Sequence, residues 1–275
     1  GGGAPRIALT GGTFDLRRFD GVGGGSGGRG STVDLALDRL IVSDGIALAP
    51  ITGQFKPVGS GLSGAFEARI NGKTSVRGTL SPANGGTALR VQASDAAGVL
   101  RDAGLTPNTN AGTLDLVLTP VRGTSGTYDG QFLIENIRLR KAPAMADLLD
   151  AVSVVGLIDQ LRGPGIAFNS VDGQFRLNRQ QIRLQQLAAV GGSMGISADG
   201  IYDFTRSQLD ISGVISPVYF LNGIGSFLTR RGEGLFGFSY RMTGSASDPN
   251  VALNPLSILT PGAFREIFRR KPPEG

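Results

Sequence analysis

Three aspartates, Asp199, Asp203 and Asp210, come nearest to a reactive constellation in this chain. Paired carboxylates hydrolyse glycosides when they face each other across a cleft at about 5–10 Å. These three fall near turns or on alternating strands, and their spacing gives no reason to pair any two. The remaining inventory is poorer. The 275 residues include no His and no Cys, which removes the usual general base, the commonest metal ligand, thiolate chemistry and disulfides. Of the relay sites, only Ser–Lys or paired-carboxylate variants stay open. The chain reads as a non-enzyme, with no catalytic residue, no metal and no cofactor.

The formal net charge of +5 is carried by Arg far more than by Lys. A basic balance fits nucleic acid, an anionic lipid surface or plain solubility. The arginines are spread along strands, as at Arg138 and Arg140, Arg176 and Arg179, Arg183, and Arg230 and Arg231. No RNA-binding aromatic motif, zinc-finger spacing or groove-filling basic helix accompanies them, so nucleic acid is not an expected partner. Solvated strand faces are the plain reading, and contact with lipid phosphates is the functional one. No apolar run reaches the roughly 20 residues that span a bilayer. With three glycines at its start and no signal peptide, the chain is expected to be a fragment whose anchor lies upstream.

What repeats is apolar surface. Gly is abundant, at 44 residues, and Gly-punctuated alternation with little charge predicts a mainly β fold of many short strands. Residues 1–30, with GVGGGSGGRG at 21–30, read as a loop or linker. From Thr32, Val33, Leu35 and Leu37 alternate with polar or small residues. Alternation returns at 46–51, 64–70, 75–80, 88–93 and 113–120, with hairpin turns at Asn71-Gly72 and Asn84-Gly85. A short helix interrupts at 94–104, with Ser94 as N-cap, Gly104 as C-cap, and Val99 and Leu100 on its buried side. Phe132, Ile134, Ile137 and Leu139 alternate after a slip at Glu135-Asn136 that reads as a bulge.

Residues 31–142 thus form one β part, and 143–275 a second. The second opens with an amphipathic helix at 143–161, whose Met145, Leu148, Leu149, Val152, Val155 and Ile158 make one stripe. Gly163-Pro164-Gly165 stops it. The clearest strands follow: Phe175 and Leu177, Ile182 and Leu184 across a turn at 178–180, Tyr202 and Phe204, then Leu209 and Ile211 after a turn at Arg206-Ser207. Phe236, Phe238 and Tyr240 alternate along a strand expected from Leu235 to Met242, before a turn at Asp248-Pro249. Between the last two strands lies an apolar insert at 216–228, starting as a helix at Ser216-Pro217, with Val218, Leu221, Ile224 and Leu228 on one face. An amphipathic tail at 255–270 sets Phe264, Ile267 and Phe268 opposite Arg265, Glu266 and Arg269. Insert and tail either plug the end of a β core or touch a membrane or partner protein.

Several of these segments carry a resemblance in consecutive order: SDAAGVLRDAGL at 94–105, LRKAPAMADLLDAVSVVGLIDQLRGPGIAF at 139–168, GSMGISADGIYDF at 192–204, GVISPVYFLNGIG at 213–225, GEGLFGFSYRMTGSASDPNVALNPLSILTPG at 232–262, and the closing FREIF. From about Ser94 to Phe268 the chain resembles the C-terminal region of the AsmA-like superfamily, closest to the YhdP branch of Gram-negative envelope proteins. The first 90 or so residues match only in general β character. The resemblance implies an elongated, curled antiparallel sheet, open along its length like a split tube, with short amphipathic helices covering one end. It also implies a periplasmic protein, anchored in the inner membrane upstream, that carries phospholipid toward the outer membrane.

On that reading acyl chains lie on the face carrying Phe175, Leu177, Ile182, Leu184, Tyr202, Phe204, Leu209, Ile211, Phe236, Phe238 and Tyr240. A dozen strands stacked about 4.8 Å apart would give a groove roughly 50–60 Å long. Leu148, Leu149, Val152, Val218, Leu221, Ile224, Leu228, Phe264, Ile267 and Phe268 would cover the groove or contact a membrane or an envelope protein. The alternative is a scaffold that docks a partner through its terminal helices and keeps the sheet face as a dry core.

Overall fold

The computed structural model describes residues 6–18, 31–105, 108–151, 155–217, 237–245 and 248–254. They are mainly β: seventeen strands in open, unclosed sheet, with three short α-helices. The chain divides into two compact units, Gly1–Ile137 with Arg176–Arg179, and Arg138–Phe175 with Gln180–Gly275.

In the first unit, β1 (Arg6–Thr10) and β2 (Thr13–Asp15) lead to β3 (Thr32–Leu37), β4 (Arg39–Ser43), β5 (Ile46–Val58), β6 (Gly61–Ile70), β7 (Thr74–Ala83) and β8 (Gly86–Ala93). After α1 (Ala96–Asp102) come β9 (Thr109–Asn110), β10 (Thr113–Pro120) and β11 (Tyr128–Leu139). β5 to β8 form an antiparallel meander that continues into β10 and β11. β3 and β4 both pair antiparallel with β5, while β1 and β2 run parallel to β3 and β4. Residues 6–18 are therefore strand and a 3-10 turn rather than linker; the glycine run at 21–30 lies outside the described residues. Asn84 (φ 49°) and Gly85 (φ 82°) form the two-residue turn between β7 and β8. Positive φ at both positions gives the hairpin its strand-matching twist. Asn136, at φ 56°, marks the slip expected in β11.

The second unit holds α2 (Pro143–Ala151), α3 (Val155–Arg162), β12 (Ile166–Leu177), β13 (Gln181–Val190), β14 (Met194–Asp203), β15 (Gln208–Pro217), β16 (Phe238–Ser245) and β17 (Asp248–Asn254). Strands β13 to β17 form an antiparallel meander. The helix expected over 143–161 is described as two segments, with 152–154 outside the described residues. It ends as the glycines predict: the Gly163 and Gly165 N–H groups donate to Asp159 O and Gln160 O at 2.9 and 2.7 Å.

Three local expectations are corrected. Asp95, not Ser94, caps α1, its carboxylate accepting the Gly98 N–H at 2.8 Å. With the Ala96 and Ala97 N–H groups taken by Gly112 O and Ala111 O, the Asp95 carboxylate in the cap position meets the next free N–H, which leaves Ser94 outside the helix. Ser216 and Pro217 finish β15 instead of starting a helix, paired with Gly195 and Met194. Asp248-Pro249 is the paired start of β17, opposite Ser245 and Gly244, and not a turn. A Pro is tolerated at a strand's start, where a missing N–H costs little.

Where the faces carry glycine, an aromatic ring fills the space. A methyl group at Gly213 of β15 would collide with the Ser197 carbonyl of β14 and stand 2.7 Å from Tyr240 Oη on the neighbouring β16. One at Gly78 would collide with the Phe66 ring, directly across the β6–β7 register. Phe55 likewise faces Gly64, and the Phe55 and Phe66 rings tilt toward each other at 6.5 Å between centroids. Each pair sets a ring against bare backbone. Gly78→Ala is expected to cost about 1–3 kcal/mol through overpacking. In urea unfolding, a Gly78→Ala/Phe66→Leu double variant should recover part of that loss, the coupling expected of residues in contact.

Candidate functional site

In both units the strand registers carry apolar side chains to a single face. In the first unit one line across the strands runs Leu35, Gly53, Phe66, Gly78, Val91, Leu116 and Phe132, each residue opposite the next. A second runs Val33, Phe55, Gly64, Leu80, Leu89 and Leu118. The opposite face is polar and knitted by ion pairs. Arg77 meets Glu67 at 3.2 Å, Arg90 meets Asp115, and Arg6 meets Asp34 at 3.4 Å. The polar face satisfies water, and the apolar face cannot.

The second unit repeats the arrangement. Ile182, Tyr202 and Leu209 stand in one line with Gly244 and Pro249. Leu184, Gly200, Ile211, Met242 and Val251 form the next. A bulge between Leu184 and Leu187 keeps the following line, Leu187, Ala198, Gly213, Tyr240 and Leu253, on the same side. Ala189, Ile196, Ile215 and Phe238 complete it. On the other face Arg241 donates to both Asp210 oxygens, at 2.9 and 2.7 Å.

Seven of the sequence-selected groove residues, Ile182, Leu184, Tyr202, Leu209, Ile211, Phe238 and Tyr240, therefore share one face. Phe175 is buried on β12, and Leu177 belongs to the short stretch that groups with the first unit. Phe204 sits past the end of β14, 41 % exposed in the turn, with its ring edge-on to Tyr202 at 5.4 Å. Phe236 lies outside the described residues. Of the proposed cover, Leu148 and Leu149 are fully buried; Val152, Val218, Leu221, Ile224, Leu228, Phe264, Ile267 and Phe268 lie outside the described residues. Sequence reasoning gave 31–142 as a β-groove part but named no residue of the first unit's face, although the alternation at 33–37 and 114–118 already announced it.

Burial is graded along the strands. In the second unit the line through Ile196 and Ile215 is dry, Ile215 having no exposure. The lines through Ile211 and Leu209 stay half-buried. The buried Leu148, Leu149, Ile158 and Leu161 come from α2 and α3, with α2 packed on β17 and α3 on α2. In the first unit α1 plays the corresponding part beside β7 and β9, burying Ala96, Ala97 and Val99. Beyond it Val33, Leu35, Phe55, Leu80, Leu89 and Leu118 are half-buried.

Helix α1 is tied down at both ends. The Ala96 and Ala97 N–H groups donate to Gly112 O and Ala111 O at 2.8 and 3.1 Å. At the other end Thr74 Oγ1 and N–H donate to the Asp102 carboxylate at 2.6 and 3.2 Å, and Asn71 Nδ2 donates to Asp102 O at 2.7 Å. The Leu105 and Gly104 N–H groups close the last turn onto Leu100 O and Arg101 O, a glycine-terminated helix end.

The polar groups offer little for acid–base work. The Arg241 hydrogen bonds hold the Asp210 carboxyl below its ordinary range. The Thr205 hydroxyl and Arg206 N–H do the same for Asp203, which caps its own turn. A general acid needs the opposite shift. Asp199 lines an open depression of about 450 Å³ whose walls are polar at Ser197, Ser212 and Arg241 and apolar at Val214, Tyr240 and Leu253. Burial, with the Asp199 charge, pushes the Tyr240 phenol well above its usual range. It stays a neutral donor, bonded to Ser197 O at 2.9 Å. Among the described residues no group of three or more acidic side chains is placed to hold a metal ion, and no helix is long and apolar enough to cross a membrane. No family model, curated protein or solved structure matches this chain.

The Asp102 anchor gives a pH-dependent prediction. The Thr74 hydroxyl, ahead of the Arg101 and Lys73 charges, lowers the Asp102 carboxyl from its model-compound range. A depressed folded value contributes stability that is complete above the unfolded value near pH 4 and is lost as pH falls through the folded one. Asp102→Asn should lower the melting temperature at neutral pH and flatten the loss of stability on acidification below about pH 4. Equal acid slopes in wild type and variant would refute the anchor.

Proposed function

We propose that this chain is part of a non-enzymatic lipid conduit, in which the apolar sheet faces shield phospholipid acyl chains while headgroups remain in water. The observation that supports it most directly is the registered apolar face of each unit, with half-buried lines of side chains across the strands. A monomeric soluble protein rarely leaves so extended an apolar surface uncovered without a partner for it. Acyl chains fit that role, since burying each methylene is worth about 0.8 kcal/mol. Because burial is non-directional, such a surface tolerates different chains and lets them slide along the lines that run across the strands. Aromatic rings set against glycines add to this, because they keep the floor low and free of protruding branches.

The AsmA-like resemblance gives the reading its setting, a periplasmic segment between inner and outer membranes, and the phospholipid as cargo. The dry line through Ile196 and Ile215 favours a second reading at that end alone, a self-filled core that serves as a rigid docking module for an envelope partner.

Native mass spectrometry of the purified chain, with lipid extraction of the same sample, tests the proposal. Co-purifying phospholipid is expected, and it should be lost in Leu209→Arg and in Leu89→Arg while circular dichroism shows the sheet intact. Leu89 is the informative arm, because it lies on the first unit's face. Phe204→Asp, in the exposed turn, should retain most of the lipid. A chain that stays free of lipid after gentle purification would move the self-filled scaffold ahead.

A further inference from the structure

We infer that Arg138, Arg140, Lys141 and Arg162 form a docking surface for an anionic phospholipid bilayer on the second unit. All four are exposed, and two stretches of chain bring them together. The Lys141 N–H donates to Leu161 O at 3.1 Å, setting Lys141 beside Arg162. Gly165, at φ +91°, passes between the stems of Arg138 and Arg140; a methyl group there would come within 2.5 Å of Arg140 Cγ and 2.9 Å of Arg138 Cγ. Arg138 Nη1 also donates to Pro164 O and Gly165 O at 3.3 and 3.4 Å.

The ordinary reasons for such a cluster are absent among the described residues. Several strand arginines elsewhere are matched with acids, as in Arg77–Glu67, Arg90–Asp115, Arg176–Asp129 and Arg241–Asp210. None of these four forms an ion pair among the described residues, although Asp147 and Asp150 are exposed on α2 and Asp159 on α3. Nor do they serve as helix caps. The last carbonyls of α3 are already taken by the Gly163, Gly165 and Lys141 N–H groups, so the cations are not needed there.

Four unmatched cations at an exposed turn suit a flat, phosphate-rich surface, and guanidinium in particular matches phosphate oxygens in pairs. Among the described residues no aromatic side chain stands with them to stack a base, and no helix presents the four to a nucleic-acid groove. The surface deepens the conduit reading by giving the chain a place to meet a membrane, but it is measurable apart from any carried lipid.

The test is sedimentation of the 275-residue chain with vesicles of phosphatidylcholine alone or mixed with phosphatidylglycerol, at low and high salt. Arg140→Gln/Lys141→Gln/Arg162→Gln leaves the carbonyl-bonded Arg138 in place. Each cation lost should weaken binding to the anionic vesicles roughly fivefold, on the order of a hundredfold together. Binding by wild type should fall in high salt. The control Lys56→Gln/Arg69→Gln/Arg183→Gln removes the same charge from other exposed positions and should bind nearly as wild type does. Equal loss in both variants would reduce the effect to net charge and overturn the proposal. So would equal binding to neutral vesicles, or no binding. Lipid carried by the same preparations, read by mass spectrometry, should be unchanged in either variant. A chain that binds anionic vesicles through this cluster yet carries no lipid sinks the conduit alone; one that carries lipid without the cluster dependence sinks the docking surface alone.

Discussion

A two-residue period held in register from strand to strand is the constraint on which the rest of this molecule depends. Because side chains alternate faces, a slip of one residue between neighbours would move a whole set of leucines and valines into water. The registers prevent this over both meanders. Where one strand must take an extra residue, as β13 does between Leu184 and Leu187, the bulge restores the phase instead of breaking it. The ion pairs on the opposite face add to the same restriction. Exposed pairs are worth little in stability, but Glu67 opposite Arg77 is matched in only one register.

Glycine has a double part here. In turns it supplies backbone freedom, but at Gly64, Gly78 and Gly213 it supplies absence, room for a cross-strand ring. That combination resolves a conflict within a one-sided sheet. Glycine weakens a strand by leaving a gap in its packing, and a ring from the neighbouring strand covers the gap while keeping the surface shallow. An abundance of glycine that looks like looseness in the composition is, at these positions, close packing.

The architecture was legible because its signals are local. Alternation placed most strands, Asn-Gly pairs placed the hairpins, and the Gly-Pro-Gly stop placed the end of α3. The misreadings also have local causes. Asp95 and Ser94 are adjacent cap formers, and only the carboxylate's bond to Gly98 separates them. Ser216-Pro217 has the composition of a helix start, yet strand pairing with β14 claims it. Register could not be read at all, since which residues face each other is a property of pairs. That is why Phe204, one step beyond Tyr202 in the alternation, looked like a groove residue and lies in a turn. The first unit's face was visible as fragments of alternation, but its continuity across seven strands emerges only when β8 meets β10 across the intervening helix.

The anchoring of α1 has a consequence for traffic. Bonds to Gly112, Ala111, Thr74 and Asn71 tie that helix to chain on both sides of it, so it behaves as masonry and not as a door. It occupies the margin of the first unit formed by the β6–β7 turn. The opposite margin, where β5 turns into β6 and β7 into β8, carries no such helix among the described residues. On the conduit reading, that second margin is the one where a headgroup meets no described helix. A molecule with one greasy end and one charged end would then lie with its charged end there.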